Sequence, residues 1–289
     1  MYYALIFLSV VMFGGCFALN DVYRKLRGSN LKISMEASFI GSLAGLVFLL
    51  IINSFKFEFT FFTFVMALLA SLNGLAFTFC TFRALDSVNL SLFSLFSMLG
   101  GMMLPFLQGI LFYGEAVTVA KVAAVVLICI SLSLSVDRKG KGGGLIYCIG
   151  IFIFNGMSGV LTKLFNTLPF ERTSAAGYSI WGGIITVLLS GSVWLILNHR
   201  EKAQAGAKFS PKACAVGAAT GAINKVANFI LVLALVHVDA SIQYPAVTGG
   251  VIIVSTLICL FGDKRPSRRE LISVAIAFLG TLLLFVIPF

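Results

Sequence analysis

Charge is scarce in this chain, and acid is scarcer still. Of its 289 residues 11% are charged, and 11 Asp and Glu face 21 Lys and Arg. A soluble domain carries about 25% charged residues and about 45–50% apolar ones. This chain is 59% hydrophobic, with a mean hydropathy of +1.03. No soluble fold of this size has an interior large enough for that much apolar surface. A disordered chain, a disulfide scaffold and a cytosolic enzyme are excluded on composition. Run length argues against an outer-membrane barrel, because barrel strands alternate over about ten residues. Chemistry-bearing groups are equally thin. The histidines are two, His199 and His237, far apart in sequence. The six cysteines, Cys16, Cys80, Cys129, Cys148, Cys214 and Cys259, all fall in apolar runs with no Cys-x-x-Cys pair. They read as small packing residues, with no metal site and no disulfide framework. No Glu-x-x-His, no His-Asp pair and no nucleophile beside a base is present, so the enzyme reading lacks its cluster. There is no nucleotide-binding motif, which speaks against direct ATP drive, and no cofactor is expected.

What is present is apolar length. A helix needs about 20 apolar residues to cross the hydrocarbon core. Ten runs qualify, near 3–23, 35–53, 62–83, 88–112, 117–136, 144–164, 175–197, 211–236, 240–261 and 268–287. The first run lacks a basic leader and reads as a mature helix. Little chain is left for loops, and no soluble domain fits. The expected class is an all-α integral membrane protein, with the lipid bilayer as its surroundings. The net charge of +10 sits mostly in those short loops. Sixteen Lys and Arg fall in the odd-numbered loops or at their edges and four in the even-numbered ones. Cytoplasmic loops carry the excess of basic residues, so the charge reports topology and not nucleic-acid binding. The odd loops are expected in the cytoplasm and both termini outside, in a multi-pass protein of the inner (plasma) membrane. The one Asn-x-Ser match, Asn89-Leu90-Ser91, opens an apolar run and is read as chance.

The chain repeats itself. Ala84-Leu85-Asp86-Ser87-Val88-Asn89-Leu90-Ser91 returns as Ala234-Leu235-Val236-His237-Val238-Asp239-Ala240-Ser241. Gly100-Gly101 and Gly249-Gly250 follow, then Leu111-Phe112-Tyr113-Gly114-Glu115 and Leu260-Phe261-Gly262-Asp263. The repeats are expected over 1–137 and 138–289, five helices each. Five is odd, so the second copy inserts upside down, and inverted repeats of this kind build alternating-access transporters. With these paired motifs the whole chain resembles the EamA-type branch of the drug/metabolite transporter (DMT) superfamily. The resemblance implies a ten-helix carrier of metabolites. It also implies a cavity among helices 1, 3, 4, 6, 8 and 9, with helices 5 and 10 outside it. It fixes no substrate.

Lys225 is the sharpest single residue. It lies near the middle of the eighth run, where a lysine is costly unless it faces a cavity or a partner. Two readings stand: an anchor for a carboxylate or phosphate, or a structural ion pair with Asp21, Glu36 or Asp239. Asn224 and Asn228 share a face beside it and offer both donors and acceptors to a polar ligand, or else bond between helices. Gln243 and Tyr244 precede Pro245, which frees backbone carbonyls toward a cavity or simply kinks the ninth helix. Ser91, Ser94 and Ser97 form a polar stripe, of which Ser94 is the cavity candidate. Asn155-Gly156 occupies in helix 6 the place of Gly14-Gly15 in helix 1, and Asn155 is a further cavity candidate. The Gly-x-x-x-Gly pairs Gly41/Gly45 and Gly217/Gly221 read as packing surfaces. No acid sits at mid-depth, which disfavours proton-coupled export of cationic drugs. The reading is a secondary-active transporter of a small polar metabolite, anionic or zwitterionic. It works by alternating access, as monomer or homodimer, with a proton or an exchanged metabolite as coupling ion. The alternatives are an exporter of amphipathic or cationic compounds and a non-transporting receptor or assembly protein.

Overall fold

The computed structural model describes residues 2–114, 118–135, 143–201, 210–235 and 240–286. Within these, the side chains of 120, 121, 143, 201, 232, 235, 240–245 and 284–286 lie outside the description. The described chain forms α1 (Tyr2–Arg27), α2 (Leu31–Ile52), α3 (Phe61–Ser87), α4 (Leu90–Tyr113) and α5 (Val119–Ser135). It continues as α6 (Gly143–Thr167), α7 (Ala175–Glu201), α8 (Pro211–Leu235), α9 (Ala240–Leu260) and α10 (Arg268–Val286). Each of the ten expected runs contains one of these helices. Several helices outlast their apolar stretch; α1 continues through Asn20-Asp21 to Arg27. Hydropathy reports bilayer thickness, whereas helix length follows backbone bonding, here supported by Asp21 ion pairs to Arg24 and Lys25 at i+3 and i+4. Asn30, Thr60 and Asn89 cap α2, α3 and α4, each accepting a backbone N–H three residues on. Asn89 is therefore the start signal of α4. Gly114 ends that helix in the left-handed region, at φ 63°.

Among the described residues seven helices, α1 to α4 and α6 to α8, are each long and apolar enough to cross a membrane. Their outer faces carry exposed Phe7, Val11, Leu43, Val47, Ile51, Leu188 and Leu195. An exterior of this kind suits lipid and not water.

Eight helices close a ring in the order α1, α8, α2, α7, α3, α6, α4, α9 and back to α1. Helices α5 and α10 pair with each other outside it, against α4 and α9. Glycine sets the closest approaches. A Cβ on Gly221 would lie 1.9 Å from the Gly41 carbonyl oxygen, so the two Gly-x-x-x-Gly segments are each other's partners. On the α4–α6 seam a Cβ on Gly100 would meet the Phe152 backbone, and one on Gly156 would meet Leu104. On the α9–α1 seam, Gly250 faces Val10 and Gly14 faces Val254. Adding 150 to the α4 numbers and subtracting 142 from the α6 numbers turns the first pair of contacts into the second.

Candidate functional site

Lys225 stands halfway along α8, half-buried. Its aliphatic stem lies against α2 where Gly45 leaves room; a Cβ on Gly45 would sit 2.8 Å from Lys225 Cγ. Its ammonium has no hydrogen bond or ion pair among the described residues. The carboxylates that the sequence offered as partners are engaged elsewhere. Asp21 holds Arg24 at 2.9 Å and Lys25 at 3.2 Å. Glu36 accepts from Arg27 Nη2 at 2.7 Å and Arg27 Nε at 2.9 Å, and from the Tyr23 hydroxyl at 2.8 Å. The ion-pair reading of Lys225 with Asp21 or Glu36 is therefore corrected. Asp239, the third proposed partner, lies outside the described residues.

Asn224 and Asn228 follow on the neighbouring face. Asn228 is exposed, and its Nδ2 donates to the Asn224 backbone oxygen at 2.8 Å and to Asn224 Oδ1 at 3.2 Å. The two amides bond along their own helix and reach no other, so they are not interhelical glue among the described residues. Lys225, Asn224 and Asn228 form one polar patch halfway along α8. Its parts are a cation with no counter-ion among the described residues and amide groups of both polarities, the kit needed to hold a carboxylate or phosphate.

The remaining candidates separate. Asn155 donates from Nδ2 to the Ser97 carbonyl at 2.6 Å, tying α6 to α4. Ser94 is fully enclosed and gives its hydroxyl to the Ser91 carbonyl at 2.9 Å. Ser91 bonds Thr256 of α9 at 2.8 Å, and it alone of the three serines bonds another helix through its hydroxyl among the described residues. The side chains of Gln243 and Tyr244, and that of Pro245, lie outside the described residues. Two features escaped sequence reasoning. Asn73 of α3 donates to the Phe154 carbonyl and to Ser158 Oγ of α6, both at 2.8 Å. Pro105 lies inside α4 and denies the Gly101 carbonyl its helical donor; Gly159 of α6 is the glycine that admits its ring. A lone Asn and a Pro within apolar runs were the signals available.

Charged groups gather where α1 ends. Arg24 Nη1 donates to Asp86 Oδ1 at 3.0 Å, and Lys25 Nζ donates to Asp263 Oδ2 at 2.8 Å. That bond holds the Asp263 carboxyl below its ordinary range. Lys264 Nζ donates to the Leu85 and Asp86 carbonyls at 3.1 and 2.7 Å, on the orphan end of α3. Asn89 Nδ2 donates to both Glu270 oxygens at 3.0 Å. Glu270 also accepts from Ser267 N, closing a capping box at the start of α10.

No protein-family model matches the chain. No curated protein matches it either. Solved structures do match it in shape. One crystal structure superposes with a TM-score of 0.62 at 16% identity, over 96% of this chain and 94% of the other. A likeness at that identity is one of fold alone.

Proposed function

We propose that this protein is a secondary-active transporter of a small polar metabolite, anionic or zwitterionic, in a cell membrane. One observation carries the reading. Lys225 is an ionisable side chain at mid-helix with no counter-ion among the described residues, beside Asn224 and Asn228. Burying an unpaired ammonium is costly unless water or a ligand serves it. A transported anion supplies that partner and leaves again. The packing supports two inverted five-helix repeats. Contacts α1–α8 and α1–α9 reappear as α6–α3 and α6–α4 when helix numbers shift by five. The Gly14–Val254 and Gly156–Leu104 seams share one register under the same exchange. Such repeats place the site between them near the midplane. The ten-helix arrangement, with α5 and α10 outside the ring, is what the resemblance to EamA-type carriers leads one to expect.

The test is thermal stabilisation of the purified protein against metabolites sorted by charge, on the parent and on Lys225→Ala. A ligand at 100 times its dissociation constant adds about 2.7 kcal/mol to the folded state. Stabilisation by carboxylates or phosphates that disappears in Lys225→Ala is the expected result. Stabilisation by neutral or cationic compounds, equal in both proteins, overturns the assignment of Lys225. No stabilisation by any solute, with no uptake or release in proteoliposomes, overturns the transporter reading.

A further inference from the structure

Arg83 lies near the end of α3, three residues before Asp86, and its side chain is exposed. The guanidinium carbon is 5.8 Å from the centre of the Phe79 ring, one turn back on α3, and 5.7 Å from that of Tyr147 on α6. The two rings are half-buried and meet edge-on, 6.0 Å apart at 85°. The cation therefore rests in the corner between two nearly perpendicular rings. Stacking of this kind uses the face of the guanidinium and leaves its in-plane N–H groups able to donate. Among the described residues they meet no acceptor: Arg83 has no hydrogen bond and no ion pair there. The acid nearest in sequence, Asp86, is committed to Arg24 at 3.0 Å.

This corner looks out of the helix ring. Around α3, Asn73 and Cys80 turn to α6, Ser71 turns to α7, and Phe82 turns inward to Tyr23 of α1. Arg83 and Leu72, eleven residues or three turns apart, occupy the side left over, and both are exposed. On α6, Gly150 faces Cys80 of α3 and Gly156 faces Gly100 of α4. Ile146, Ile149 and Ile153, at three- and four-residue spacing, share the exposed face that remains. A Cβ on Gly144 would lie 2.7 Å from Ser87 Cβ, and one on Gly150 2.7 Å from Cys80 Sγ. The two helices thus pack closely, and their apolar rows run side by side from Arg83 toward mid-helix.

An arginine at a membrane edge ordinarily reaches for water or phosphate on a mobile stem. Here two rings hold it, so less freedom is lost when an acceptor arrives. Its fork of donors matches the oxygens of a phosphate group. A soluble phosphate has no use for the apolar rows beneath, whereas an acyl chain does. The headgroup cation of a zwitterionic lipid finds no acid beside Arg83 among the described residues, so the fit is to net negative charge. We propose that the corner of Phe79, Arg83 and Tyr147 binds the phosphate of an anionic phospholipid, with an acyl chain laid along Leu72, Ile146, Ile149 and Ile153. The lipid sits on the outer wall of the ring and bridges α3 to α6. It is separate from the Lys225 patch, which lies on α8 against α2, and does not rest on the transporter reading.

Native mass spectrometry of the detergent-purified chain, counting bound lipid, tests this. Phosphatidylglycerol and phosphatidylcholine are titrated in turn onto the parent, Arg83→Gln, Tyr147→Leu and Arg200→Gln. Arg200 is exposed at the corresponding end of α7 and reports diffuse basic charge. The parent is expected to bind one phosphatidylglycerol in preference to phosphatidylcholine. Arg83→Gln should lower the phosphatidylglycerol affinity about fivefold and leave phosphatidylcholine unchanged. Tyr147→Leu keeps the charge and removes one wall; it should cost about two- to fivefold. Arg200→Gln should change neither. Thermal melts without lipid are expected to coincide, because Arg83 is exposed. Equal phosphatidylglycerol binding by the parent and Arg83→Gln overturns the site. So does an equal loss in Arg200→Gln, since diffuse charge then accounts for the preference. Displacement of the lipid from the parent by inorganic phosphate overturns the lipid assignment in favour of a soluble anion. No transported solute enters these readouts, so failure here leaves the Lys225 assignment standing.

Discussion

At the scale of single residues, the chain divides its charges into served and unserved. Arg27 and Glu36 sit with side chains 6% and 3% exposed and satisfy each other through two bonds, with Tyr23 adding a third. Such a pair holds α1 to α2 and has nothing left for a ligand. Lys225 is the contrast, kept without a partner among the described residues. Retaining an unserved cation costs stability, and sites kept for function commonly do so. Replacing Lys225 by Met removes the charge and keeps the stem against Gly45. The melting temperature of Lys225→Met is expected to equal or exceed the parent's, with a gain of up to about 3 kcal/mol. Its response to anions is expected to be lost. A clear drop in melting temperature would mark Lys225 as a structural residue.

At the scale of elements, glycine position decides how close two helices come. A Cβ at Gly221 would fall 1.9 Å from a backbone oxygen of α2, which cannot move aside as a side-chain tip does. Gly15 of α1 has nothing within 4 Å. The same substitution should therefore act in opposite directions at the two sites. Gly221→Ala is expected to destabilise by more than about 2 kcal/mol through overpacking. Gly15→Ala should be neutral or gain up to about 1 kcal/mol from helix propensity. Thermal melts of the two variants beside the parent check this; equal effects would show that the α2–α8 seam is not set by backbone contact. The element ends obey similarly local rules. Asn89 serves twice, capping α4 through its oxygen and binding Glu270 of α10 through its nitrogen.

At the scale of the whole molecule, topology follows from charge. The end where α1 stops and α10 starts carries Arg24, Lys25, Arg27, Lys264, Arg265, Arg268 and Arg269. By the basic-loop bias we propose that this end faces the cytoplasm, with both termini outside. A reporter that is active only outside the cytoplasm should work when fused at the C-terminus. One active only in the cytoplasm should fail there. The reverse pattern would invert the orientation.

Helix number and approximate span were legible in the sequence, because bilayer thickness imposes a run length that any reader of hydropathy can count. The candidates that stood out singly were legible too: Lys225 against an apolar background, and the two Gly-x-x-x-Gly segments as packing surfaces. Which surfaces meet was not legible. That Gly41 and Gly221 face each other, that Asn155 reaches Ser97, and that Ser91 bonds Thr256 of α9 are pairings between positions far apart in the chain. No local pattern encodes them. The reason is that hydropathy sets each helix's length and its preference for lipid. Partner choice depends on how ridges, glycine gaps and stray polar groups from separate helices fit, and only the assembled bundle evaluates that fit. The same holds for Lys225: the sequence placed a cation at mid-helix, and the folded chain left it without a counter-ion among the described residues by committing Asp21 and Glu36 to arginines and a lysine of α1.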